Sequence, residues 1–65
     1  MEEYQQRVID ELSELEIKTL ALNCCISSYP TFLDVEKDEQ ERLKLQLDTM
    51  WQYVEILRDR IAAFK

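Results

Sequence analysis

Between Tyr4 and Ile26 the apolar positions return every third or fourth residue: Tyr4, Val8, Leu12, Leu15, Leu22 and Ile26, with Thr19 in the remaining place of the series. That is the 3.6-residue period of one helix face. The pattern breaks at Ser27-Ser28-Tyr29-Pro30-Thr31, where Pro30 disfavours helical geometry at Tyr29. It predicts a first helix over residues 2–28, about 40 Å long at 1.5 Å per residue. Further on, Leu43, Leu47, Met50, Val54, Leu57, Ile61 and Phe64 alternate steps of four and three. They form a heptad seam with Leu47, Val54 and Ile61 at a and Leu43, Met50, Leu57 and Phe64 at d. Acid at the start (Asp38, Glu39, Glu41) and base at the end (Arg58, Arg60, Lys65) suit the helix dipole, so a second helix is predicted over 38–64. Between them lies a corner over 29–37 carrying Phe32, Leu33 and Val35, with Thr31 a candidate N-cap and Asp34 three residues on. The expected architecture is all-α. It is an antiparallel helical hairpin of two long helices and a short corner helix or turn, one domain over 1–65.

Each helix also carries apolar residues away from its main stripe. On the first these are Ile9, Ile17, Leu20 and Cys24; on the second, Leu45, Ile56 and Ala63 with Thr49. A helix that is apolar on two faces is buried on both, and a two-helix chain covers only one. Ile9, Ile17, Leu20, Cys24, Leu45 and Ile56 are therefore the candidate oligomer interface, and a homo-oligomeric helix bundle, a dimer or larger, is expected. The length agrees. A chain of 65 residues buries little surface, and pairing with further copies is a common remedy.

Composition narrows the chemistry more than it names it. At 46% hydrophobic and 34% charged residues the chain is too apolar for a disordered acidic tail. The lack of glycine counts against β-hairpins, P-loops and dinucleotide folds, and no apolar run approaches a membrane span. The opening Met1-Glu2-Glu3-Tyr4 is acidic where a secretory signal would be basic. Adjacent Cys24 and Cys25 suit a bridge to each other badly, lie in an apolar stretch and read as buried structural thiols in a reducing cytoplasm. Without histidine there is no triad and no histidine–metal motif. The acid pairs, Asp10 with Glu14 and Glu41 with Glu55 or Asp59, read as solvated helix surface. No catalytic residue, metal or cofactor is assigned, and an enzyme is not expected.

Two flanks of the second seam hold cations beside aromatics. Lys44, Trp51 and Arg58 are spaced by seven on one side; Arg42, Tyr53 and Arg60 lie close together on the other. Such sets bind acidic protein surfaces or nucleotides, although basic stems also simply cover a seam. These six are the candidate ligand or partner flank. The net charge of −6 and the absence of a basic excess argue against direct nucleic-acid binding. The carboxylates Glu3, Asp10, Glu11, Glu14, Asp48, Glu55 and Asp59 permit a DNA mimic, with charge for solubility the plainer explanation.

Tyr4-Gln5-Gln6-Arg7-Val8-Ile9-Asp10-Glu11 with Leu12 and Leu15, Thr31-Phe32, Asp38-Glu39-Gln40-Glu41-Arg42-Leu43, Gln46-Leu47, Met50, Tyr53, Ile56-Leu57 and Arg60-Ile61-Ala62-Ala63-Phe64 together resemble a family. It is a group of small uncharacterised tailed-phage and prophage helical proteins related to a crAss-like-phage product. Ile17 and Leu22-Asn23-Cys24-Cys25 are more apolar than that pattern. The resemblance implies a phage accessory protein acting in the bacterial host cytoplasm. It carries no established activity; with that context and no catalytic residue, the leading expectation is a non-catalytic, oligomeric binder that inhibits or sequesters a host component, antiviral defence included. A host protein is placed ahead of a nucleotide ligand as partner. A structural or scaffold role, a DNA mimic and a nucleotide-signal sponge are the alternatives.

Overall fold

A computed structural model describes residues 2–28 and 31–64. Two long helices, α1 (Glu3–Ser27) and α2 (Lys37–Ala62), are joined through a short 3-10 turn at Thr31–Asp34. They run antiparallel. Tyr4 meets Phe64 edge to face with ring centroids 6.0 Å apart, and Glu16 reaches Arg58. The hairpin is a rod of 47 × 15 × 13 Å. Its radius of gyration, 14.9 Å, exceeds the roughly 11 Å of a compact chain this long.

Local chemistry sets the ends of the elements. At the start of α1 the Gln5 side chain turns back and its Oε1 accepts the Glu2 backbone N–H at 2.9 Å, half of a capping box. Gln5, a residue the apolar pattern passes over, is buried. At the other end the Ser28 hydroxyl donates to the Cys24 carbonyl at 2.9 Å, satisfying a group the helix terminus would otherwise leave unpaired. Tyr29, Pro30 and the Thr31 side chain, which carry the expected helix break and N-cap, lie outside the described residues. Beyond the 3-10 turn, Gln40 Nε2 donates to the Val35 carbonyl at 2.8 Å and fastens the corner to the first turn of α2.

The core lies along the seam and is thin. Its buried apolar members are Val8, Phe32, Val54 and Leu57. Leu12, Leu15, Leu22, Leu43, Leu47, Met50 and Ile61 are only half-buried, because two helices enclose their seam from one direction. Thr19 is fully buried on the α1 side of the seam; its hydroxyl donates to the Leu15 carbonyl at 2.7 Å, so no polar atom is stranded. Cys24 and Cys25 are free and exposed, not buried as their apolar stretch suggests; Cys24 lies two residues from Leu22 and Ile26 and so about 200° round the helix from the seam.

Candidate functional site

The Glu16–Arg58 ion pair, Oε2 to Nη2 at 3.3 Å, spans one broad side of the hairpin and orients everything else. Leu20 lies four residues from Glu16, about 40° round α1, and belongs to that side. Ile56 lies two residues from Arg58, about 200° round α2, and belongs to the opposite one. The two groups of outward apolar residues are therefore not brought together within the protomer. Ile9, Ile17, Leu20 and Cys24 occupy the outer face of α1 towards the first side, and Leu45 and Ile56 that of α2 towards the second. Ile9 is half-buried; the others are exposed, Ile17 to 69% and Leu45 to 67%.

The six flank residues also separate. Lys44, Trp51 and Arg58 share the first side, where two of the three are already engaged. Lys44 Nζ sits 5.7 Å from the centroid of the buried Phe32 ring, a cation–π contact that ties the corner to α2. Arg58 is shared between Glu16 and Glu55, the latter at 3.7 Å. Trp51 is half-buried. Arg42, Tyr53 and Arg60 share the second side in angle but not in height: Arg42 and Arg60 are separated by about 27 Å at 1.5 Å per residue. Arg42 Nε bonds Glu39 Oε1 at 2.7 Å in a solvated pair. Among the described residues Arg60 is in no ion pair.

A single stripe emerges that joins the two sequence-derived sets. Arg42, Leu45, Thr49, Tyr53, Ile56 and Arg60 follow one another at three or four residues along the outer face of α2, all exposed. Thr49 gives its hydroxyl to the Leu45 carbonyl at 3.0 Å, so its polar atom is satisfied within the helix. The stripe has an apolar middle and a guanidinium at each end, the layout by which a helix seats against a partner helix or groove. The spacing was present in the sequence; dividing the apolar from the cationic positions concealed it. Among the described residues the protomer forms no pocket, no group of acids and thiols placed to hold a metal ion, and no helix long and apolar enough to cross a membrane.

The chain is thus a small all-α hairpin whose described residues present an exposed stripe and no cavity. The family model described as Sequestin matches residues 2–63, and the chain belongs to the Sequestin family. The family's name is consistent with a protein that binds and sequesters. No curated protein and no solved structure matches the chain.

Proposed function

We propose that this chain is a non-catalytic, self-associating binding protein of a phage or prophage. It holds a host component in the bacterial cytoplasm stoichiometrically and so keeps it from acting, a component of antiviral defence being the favoured target. One observation carries the binding role: the continuous Arg42–Leu45–Thr49–Tyr53–Ile56–Arg60 stripe, solvent-exposed on a helix whose other face is fixed by the seam; the phage context rests on the sequence resemblance alone. A stripe of that chemistry fits a host protein offering an apolar ridge with carboxylates at its ends. Sequestration by binding requires no reacting group, which suits a chain without histidine. The test is capture from host lysate with the tagged full chain. The wild-type protein retains a defined host protein at fixed ratio, and Ile56→Glu loses it at least tenfold. Equal capture by Ile56→Glu and by a Leu45→Glu, Tyr53→Ala double variant would remove the stripe from the function.

A small anionic signalling nucleotide is the alternative occupant, and the arrangement disfavours it: Trp51 and Arg58 lie on one broad side and Tyr53 and Arg60 on the other, so the four do not converge. Small-molecule sites are enclosed clefts, and the described residues of one protomer form none. A sequestered nucleotide would thus need a cleft built by a second copy against the α2 face, an arrangement distinct from pairing through α1, with Arg60, in no ion pair among the described residues, as its cation. Thermal-shift titration with cyclic dinucleotides and with ADP-ribose separates the two: saturable stabilisation lost in Arg60→Ala supports the nucleotide, and none supports the protein partner.

A further inference from the structure

Charge is distributed along the chain in a way that the two broad sides do not share. Between Lys18 and Asp34 no residue is charged, although a third of the chain is. In the fold this stretch is not interior. Leu20 and Leu33 are about half exposed, and Ala21, Asn23, Cys24 and Cys25 are exposed with them; Ile17 adjoins it. The result is an uncharged patch covering the outer face of α1 from its middle to the corner. Depletion of charge is what marks the fully buried centre of a protein interface.

We infer that a second copy of this chain covers that patch, through a two-fold contact of the outer face of α1 with its counterpart. This rests on the self-association proposed above and names the face responsible. Three observations select a second copy as the occupant. The first is area: the chain exposes 5109 Å², about 700 Å² more than the roughly 4,400 Å² of a compact monomer of its mass. That excess belongs to the elongated rod as a whole, and association with a further chain is the way such a rod covers it. The second is the core. Among the described residues four buried apolar side chains hold a 47 Å rod, so the covering surface has to be present whether or not a target is, and a second copy always is. The third is charge. A two-fold contact sets a face against itself, which costs an uncharged patch nothing. The α2 stripe, paired antiparallel with itself so that Leu45 meets Ile56, sets Arg42 of one copy beside Arg60 of the other. The α2 stripe thereby remains open on both outer sides of the pair.

Size-exclusion chromatography with light scattering gives the first measurement. The wild-type chain runs at twice its 7.8 kDa mass, Ile56→Lys keeps that mass, and Leu20→Lys falls to the single-chain mass. Because Leu20→Lys can also unfold the rod, a second arm uses Leu20→Cys and Leu45→Cys, each with Cys24→Ser and Cys25→Ser, and a short bis-maleimide. Leu20→Cys gives the cross-linked pair and Leu45→Cys does not. A wild-type chain that stays at its single-chain mass at every concentration overturns the inference, as does cross-linking of Leu45→Cys equal to or above that of Leu20→Cys. Lysate capture separates the two claims: a pair that captures nothing defeats sequestration alone, and a single chain that captures its target defeats the pairing alone.

Discussion

Ile56 and Leu57 are neighbours of nearly equal volume and apolarity, and their truncation to alanine should have opposite consequences. Leu57 is fully buried against α1, whereas Ile56 is 57% exposed on the outer face. Leu57→Ala loses the transfer energy of its side chain and leaves a cavity that a rod one side chain thick closes only in part, together about 2–5 kcal/mol. A domain of 65 residues has a total of roughly 3–10 kcal/mol at 0.05–0.15 kcal/mol per residue. The change therefore consumes much or all of the available stability. At roughly 4–8 °C per kcal/mol, a loss of 3 kcal/mol lowers the melting temperature by about 12–24 °C. Ile56→Ala loses little burial and gains helix propensity, since β-branching restricts χ1 in a helix; its effect stays within about 0.5 kcal/mol. Thermal melts followed by far-UV circular dichroism decide this, run at one protein concentration because association moves the midpoint. Equal shifts in the two variants, or a larger one in Ile56→Ala, would place the seam on the wrong side of α2.

Three further outcomes follow from individual contacts. Gln5→Ala, which removes the acceptor for the Glu2 backbone N–H, should lower stability by about 1 kcal/mol, read as faster amide exchange in the first turn of α1; unchanged exchange would show the cap to be idle. A double-mutant cycle on Glu16→Ala and Arg58→Ala should return a coupling of no more than about 1 kcal/mol, because the pair is half exposed, and it should shrink with salt; a larger, salt-independent value would contradict the solvated geometry. Both thiols should react with maleimide in dilute native protein, as their exposure requires, and Cys24 should become protected as concentration rises; protection of neither thiol would separate Cys24 from the contact between copies.

The features that were legible in the sequence are those written in local period. The four–three alternation from Leu43 to Phe64 specifies one helix and one face whatever lies opposite, and the break after Ser27 is a property of a few adjacent residues. Depth of burial is set by the partner instead. Tyr4 sits in the same stripe as Val8 yet is exposed, because α2 ends beside it, where the Phe64 ring meets it edge to face. Gln5, off the stripe, is buried. The apolar setting of Cys24 and Cys25 suggested burial, but an apolar neighbourhood along the chain is not an apolar neighbourhood in space. The candidate site fared similarly. Angular position around α2 was readable for Arg42, Tyr53 and Arg60, while the engagement of Lys44 by Phe32 and of Arg58 by Glu16 depended on residues from the corner and from α1.

Those engagements also bear on which face is free to act. A cation already held by a carboxylate or a ring must break that contact to meet a ligand, and on the first broad side Lys44 and Arg58 are both so held. On the second side Arg60 has no such contact among the described residues, and the Arg42 pair is solvated and worth about 1 kcal/mol at most. Desolvating Arg42 against a partner's carboxylate therefore displaces little, and Tyr53 and Ile56 supply the apolar contact that excludes water around it. The uncharged face of α1 has the converse properties: nothing to steer an approaching anion, and everything to gain from being covered permanently. On the two proposals above, partner binding and self-association draw on opposite sides of one rod. A variant that abolishes either while sparing the other would be expected from either side and from neither seam.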